Sequence, residues 1–365
     1  MRASNFKAGT TLASKKSWLK LFISPDVSAL VEVIVMQATE LRAEPRTEMH
    51  IPIADTREIY RVTDVEKAME DNPAARNEGL SAFYEKMRQM GGTRFVIKPS
   101  SADALDSLYE QCPNFTEVID DLKKYLALAV SGHEPVQFTP ILLLGEPGIG
   151  KTHFAKRLAE ALGTGYEFVS MSSLTAGWVL SGASSQWQNA KPGKVASSLI
   201  SGEYANPVML LDEVDKAGGD SRYDPMGALY SLLERDTARA FRDEFVEVDI
   251  DASHMLWVST ANEERGLPDP ILNRMNVYQV PRPDADASRR IAGHLYSEIV
   301  NEHDWGFDFE PPADVLDTLA SLPPRDMRKR LMAAFGNAKL DGRNTLTARD
   351  MESGRNGATR KRIGF

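Results

Sequence analysis

The chain has 365 residues, of which 42% are apolar and 26% charged, with 25 glycines and 20 prolines. That composition suits a globular protein of two or three domains and excludes a collagen-like repeat, a coiled-coil rod and wholesale disorder. With 43 basic against 52 acidic residues the net charge is −9, which argues against a surface built as a whole to bind polyanions.

The single cysteine, Cys112, cannot close an intrachain disulfide, and this fits a reducing compartment. The first twenty residues carry Arg2, Lys7, Lys15, Lys16 and Lys20 and no acid, yet no secretory apolar core follows. The apolar stretch at 27–36 contains Glu32 and falls well short of the ~20 residues of a spanning helix. These features predict a soluble, cytoplasmic protein with a solvated N-terminus and no membrane association.

Residues 1–100 read as an α+β N-terminal region. Short apolar runs at 18–23 and 27–36 precede helix-like stretches at 65–69 and 80–90. Gly91-Gly92 then breaks the chain before a short strand at 94–97, closed by Pro99. No chemistry can be named in this region.

From 101 to 282 the texture changes to that of an α/β large subdomain. Nearly continuous apolar runs at 140–144, 167–170, 207–211, 255–259 and 277–280 predict strands buried on both faces of a parallel sheet. Between the first two, Phe154, Leu158 and Leu162 repeat every four residues over 152–162, the stripe of a core-facing helix. Strand, helix and strand at these lengths are the βαβ pattern of a layered fold. From 283 to 350 the pattern is helical, as in a small all-α lid. Asp284 is placed to cap a helix running through Ile291, Leu295 and Ile299, and Pro311-Pro312 and Pro323-Pro324 each precede another. Residues 351–365 form a basic tail with Arg355, Arg360, Lys361 and Arg362.

The strongest chemical signal is Gly145-Glu146-Pro147-Gly148-Ile149-Gly150-Lys151-Thr152, a full match to G-x-x-x-x-G-K-[ST] between a predicted strand and a predicted helix. Glycines let the backbone turn so that successive N–H groups and the helix N-terminus point at phosphate oxygens. Lys151 adds a flexible point charge for the β- and γ-phosphates, and Thr152 a hydroxyl for Mg²⁺. A second run, 208–211, ends in Asp212 and Glu213. An acid at the C-terminal end of a strand lies beside the phosphate crevice of an open α/β sheet. Asp212 is the candidate to hold Mg²⁺, largely through water, and Glu213 to orient and deprotonate the attacking water. Asn262 ends a third strand. Read alone it is a turn residue; beside a phosphate site it is a candidate to hydrogen-bond the γ-phosphate or that water.

Together these residues resemble the AAA+ ATPases, and most closely the ATPase module of Lon proteases, over about 114–350. The helix expected over 114–129 resembles the one before the Lon P-loop. Leu211-Asp212-Glu213-Val214-Asp215-Lys216 is similar to the Lon form of Walker B. Asp224-Pro225, Leu232-Leu233-Glu234, Phe241-Arg242-Asp243, the run 246–249, Ser259-Thr260-Ala261-Asn262 and Ile271-Leu272-Asn273-Arg274-Met275 follow in the Lon order.

The resemblance implies roles for further residues. Asn262 falls on sensor 1, and Arg274 on the arginine finger that reaches a neighbouring subunit's nucleotide, worth roughly 10³–10⁵ in rate. In Pro324-Arg325-Asp326-Met327-Arg328, Arg325 falls on sensor 2, with Arg328 one helical turn away as the alternative. Trp187 falls on the aromatic that grips polypeptide in the ring's central channel, although Gln188 and Asn189 stand where Lon-like loops carry an aliphatic residue and glycine. No Ser–Lys peptidase arrangement can be assigned after Asp350, and residues 1–100 do not resemble Lon's substrate domain.

The implied function is an ATP- and Mg²⁺-dependent protein remodeller, a homo-oligomeric ring, hexameric by resemblance, that hydrolyses ATP at subunit interfaces without its own protease. A separate protease or adaptor would be its partner, with residues 1–100 selecting substrates. One alternative is a nucleic-acid-linked AAA+ ATPase of replication, transposition or defence. The net charge and the lack of a helix-turn-helix or a basic, aromatic-studded strand speak against it. Another is a nucleotide-gated scaffold with little turnover, against which Glu213 and Arg274 speak. The six histidines show no paired zinc-ligand spacing.

Overall fold

The computed structural model describes residues 53–71, 78–173, 178–187, 189–218 and 224–352. The chain divides into two units, Met1–His50 and Ile51–Phe365, and every described residue belongs to the second. The apolar runs at 18–23 and 27–36, residue Gln188 and the basic tail lie outside the described residues.

The predicted apolar runs form the strands β3 (Ile141–Leu144), β4 (Tyr166–Ser170), β5 (Val208–Asp212), β8 (Leu256–Ala261) and β9 (Asn276–Gln279). They pair in parallel in the order β4-β5-β8-β3-β9. The central strands are apolar on both sides because each face meets a core. Leu142, Leu144, Met209, Leu211 and Trp257 point into one cluster, and the alternate residues Ile141, Leu143, Val208, Leu210, Leu256 and Val258 into another. Phe154, Leu158 and Leu162 of the helix Lys151–Leu162 fill the second cluster, as their spacing predicts. Register aligns the C-terminal ends of the strands, with Ser170 opposite Asp212 and Leu144 opposite Ala261, so the loops after β3, β5 and β8 open at one edge.

The helices of eight residues or more are α1 (Val62–Asp71), α2 (Glu78–Met90), α3 (Thr116–Gly132), α4 (Lys151–Leu162), α5 (Lys194–Ser201), α6 (Ala285–Glu302), α7 (Ala313–Ala320) and α8 (Pro324–Leu340). The last three close a separate core around Tyr296, Leu319, Leu331 and Phe335, the expected all-α lid. Asp284 caps α6 as predicted, its Oδ1 accepting from Ala287 N at 2.8 Å. None of the described helices is long and apolar enough to cross a membrane.

The strand at 94–97 and the helices at 65–69 and 80–90 are present, as β2 (Thr93–Lys98), α1 and α2. β2 pairs antiparallel with β1 (Ile53–Glu58), and the short strands β6 (Phe241–Arg242) and β7 (Asp249–Ile250) pair antiparallel with each other. The change of texture near residue 100 is not a break in packing, however. Ile59, Tyr60, Val65, Leu80, Tyr84, Met87 and Val96 share one apolar cluster with Leu142, Leu144 and Leu211 of the sheet. Arg94, only 4% exposed, donates to the carbonyls of Leu199 and Ile200 at 2.9 and 2.7 Å, near the end of α5 where helical carbonyls lack partners. Tyr84 Oη donates to Val246 O at 2.8 Å. Phe95 N donates to Glu203 O at 2.9 Å, and Phe95 O accepts from Ala205 N at 2.7 Å.

Candidate nucleotide site

The loop from β3 to α4 makes a turn that only glycine allows at its first position. Gly145 has φ +156°, and a Cβ there would stand 2.6 Å from Val280 O and 2.7 Å from Ile149 Cδ1. Gly150, at φ +103°, opens α4 with no side-chain cap, so the first-turn N–H groups face the cleft as an anion site. Asn114 pins the loop from outside, its Nδ2 donating to Ile149 O and Pro281 O at 3.2 Å each. Glu146 turns away and accepts from Arg282 Nε at 2.6 Å; Pro147, Gly148 and Ile149 line the cleft.

Lys151 is 8% exposed. Its ammonium donates to Gly145 O, to Glu146 O at 3.0 Å and to Asn262 Oδ1 at 3.1 Å. Burial pulls its pKa down, and the carboxylates of Asp215, Asp212 and Glu213 oppose that. The next residue, Thr152, donates through Oγ1 to Asp212 Oδ1 at 2.8 Å, bringing the two predicted Mg²⁺ partners together.

Thr260, which the sequence reading quoted but did not single out, joins the strands: its hydroxyl donates to Asp212 Oδ1 at 2.8 Å and accepts from Glu213 N at 2.9 Å. Glu213 sits in the left-handed region, at φ 57° and ψ 52°, and lines the same cleft as Asp212. Lys216, three residues on, pairs with its carboxylate, which lies below the usual carboxylate range chiefly for that reason. Asp215, also not singled out, accepts through Oδ2 from Asn262 N at 3.1 Å and so fixes the end of β8.

The lid closes the other side of a cleft of about 680 Å³. Arg325, at the start of α8, lines it close to Gly148 and makes no hydrogen bond or ion pair among the described residues. Arg328 lines it too, but donates to Glu302 Oε2 at 2.6 Å. The structure therefore brings together Lys151, Thr152, Asp212, Glu213, Asn262 and Arg325. It does not bring Arg274 to them. That side chain lines a second cavity, of about 610 Å³, which shares no residue with the cleft, and its Nε lies 3.0 Å from Glu234 Oε1. Trp187, 49% exposed, lies in neither cavity and meets Trp178 edge-to-face, ring centroids 5.7 Å apart.

Residues 141–282 match the family model for ATPases associated with various cellular activities. This segment is thus similar to an AAA domain. The Lon protease of Halothermothrix orenii is 35% identical to the chain over 189 residues, which are 51% of this chain and 24% of that protein. The peroxisomal Lon protease homolog 2 of Zea mays is 33% identical over 202 residues, 55% of this chain and 23% of that protein. The chain thus spans about a quarter of the length of these curated relatives. Hsp104 in its closed state with ATPγS and FITC casein shares the fold at a TM-score of 0.51 and 18% identity, over 66% of this chain and 46% of that one. The expected resemblance to the Lon ATPase module and the expected α/β P-loop fold both stand. An AAA domain is a nucleotide-binding, ATP-hydrolysing unit, and the P-loop supplies its phosphate cradle.

Proposed function

We propose that the chain is the ATP-hydrolysing motor of a homo-oligomeric, hexameric ring in the cytoplasm that remodels polypeptides, working with a separate protease or adaptor. One observation supports this reading: the other candidate residues line one cleft, whereas Arg274 lines a different cavity, beside Glu234. An arginine so placed serves a neighbour's nucleotide or none.

The residues present fit ATP with Mg²⁺. The uncapped α4 N-terminus and Lys151 suit phosphate oxygens, and the Thr152–Asp212 pair suits a hard cation that keeps much of its water. Among the described residues no group of three His, Cys, Asp or Glu side chains could hold a metal unaided, so phosphate oxygens and water would complete the shell. Bound Mg²⁺ supplies charge neutralisation at the β- and γ-phosphates. The pair with Lys216 favours the ionised form of Glu213, the form that can take a proton from water. Asn262, held by Asp215 and bonded to Lys151, orients that water. Arg325, without a side-chain partner among the described residues, would reach the γ-phosphate from the lid, while Arg328 is occupied by Glu302 and Glu298. Trp187 grips the substrate by burial and stacking, which demand little of its sequence.

The test is steady-state ATP turnover across protein concentration, alone and with unfolded casein or single-stranded DNA, using Glu213→Gln as the blank. Turnover per chain should rise with assembly, and casein should stimulate it. Mixing Arg274→Ala with Glu213→Gln chains should restore part of the activity that each lacks alone. Stimulation by DNA alone would sink the remodeller reading, and activity independent of concentration would sink the shared site.

A further inference from the structure

The loop at 183–192 leaves and rejoins the body through a neck built on two glycines. The helical turn Trp178–Ser181 precedes Gly182, and Gly193 returns the chain to α5. The two backbones touch so closely that a Cβ on Gly193 would stand 2.2 Å from Leu180 O and 2.4 Å from Gly182 N. Just above, Ala183 N donates to Lys191 O at 3.2 Å.

Under this neck lies Asp243, whose exposure is 0%. Its Oδ2 accepts from Gly193 N at 2.8 Å, and its Oδ1 from Phe245 N at 2.9 Å and Val246 N at 3.2 Å. No basic side chain pairs with it among the described residues. Gly182, at φ +80°, leaves the space the carboxylate fills: a Cβ there would stand 2.2 Å from Oδ1. The other strand of the neck is tied to the same stretch, since Glu244 N donates to Ser181 O at 2.7 Å. A buried carboxylate is costly unless its oxygens are satisfied, and here backbone donors from both sides of one junction satisfy it. Burial still pushes its carboxyl up to about 6, against those hydrogen bonds.

We propose that Asp243 is a positioning residue for polypeptide grip: its carboxylate ties the Gly193 end of the 183–192 loop to the body and packs under Gly182, beside the Glu244 N–Ser181 O bond that holds the other end, so that Trp187 is presented at a fixed angle against Trp178. The proposal rests on the reading of Trp187 as the gripping residue. A clamped base makes the loop a stiff arm, so a movement of the body on hydrolysis becomes a movement of the indole rather than a bend at Gly182 or Gly193. Asparagine has nearly the same shape, but one of its two oxygens becomes an N–H₂ group. It can satisfy Gly193 N or the Phe245 and Val246 pair, not both.

The experiment compares Asp243→Asn with the parent in basal ATP turnover, in stimulation by unfolded casein, and in acrylamide quenching of tryptophan fluorescence. Trp187→Phe serves to subtract the other indoles. Asp243→Asn should keep basal turnover within about twofold, lose about tenfold of the casein stimulation, and raise the quenching of Trp187. The loss should not add to that of Trp187→Ala. If Asp243→Asn does not fold, Gly182→Ala strains the same junction from the loop side and should give the same pattern. Casein stimulation kept by Asp243→Asn but lost by Trp187→Ala would overturn the clamp. If Trp187→Ala itself keeps stimulation, the gripping role fails instead. The clamp is then judged by quenching alone, and unchanged quenching overturns it.

Discussion

The phosphate edge and the 53–98 segment both spend charged and polar side chains on backbone carbonyls, but to different ends. Lys151 reaches carbonyls five and six residues back and remains beside an open cleft, where a stronger anionic partner can take its charge. Arg94 reaches carbonyls 105 and 106 residues on and is sealed in, with nowhere else to go. The first arrangement is a site in which bonds are exchanged; the second is a seam in which they are permanent. A charge at the edge should therefore be separable from folding, and one in the seam should not.

Lys151→Met presses the first half of that contrast hardest. Turnover should fall at least about a thousandfold, the scale of a phosphate-clamp loss, with the melting temperature moved by no more than about 2 °C. An unfolded variant in calorimetry would erase the distinction. Arg94→Met should do the reverse, removing about 3–5 kcal/mol because buried carbonyls lose a charged donor, seen as a lowered urea midpoint. Retained stability would mean that the seam is apolar packing alone.

A smaller effect separates two neighbours on α8. Arg325→Ala should cut turnover by about tenfold or more, while Arg328→Ala, which loses part-exposed pairs with Glu302 and Glu298, should stay within about threefold. Equal losses would make both arginines part of the site.

The smallest effects are on pH, and they have opposite signs. Arg343 binds Asp350 through two hydrogen bonds, at 2.9 and 2.6 Å, and holds its carboxyl at about 2. That stabilisation is present above the unfolded value near 4 and is lost as pH falls through about 2. Asp243, raised to about 6, costs stability when ionised, so its contribution improves as pH falls from above 6 towards 4. Urea midpoints against pH should lose the lower slope in Arg343→Gln and the upper one in Asp243→Asn.

What could be read from residues follows the same division. The P-loop, Asp212, Glu213 and the five buried runs are legible because their meaning lies in spacings of a few residues. Asp284 announced its cap for that reason. Arg94, Tyr84 and Asp243 carry no such signal, since their partners lie across the fold; hence a change of texture near residue 100 looked like a boundary where the cores in fact merge. Thr260 and Asp215 stood inside quoted motifs, but their task of tying Asp212 to Asn262 is set by strand order. Arg325 and Arg328, one turn apart, differ in their neighbours, since Glu302 and Glu298 lie beside the second, and no spacing announces that.

The pairing of Phe95 with Glu203 and Ala205 has a mechanical consequence. Three residues beyond Ala205 begins β5, the strand that ends in Asp212 and precedes Glu213. Tension applied at residue 53 passes from β1 across its ladder to β2, and from Phe95 into the backbone leading to those carboxylates. On the proposed reading, a load applied at residue 53 would be in series with β5 and would bear on the geometry at Asp212 and Glu213.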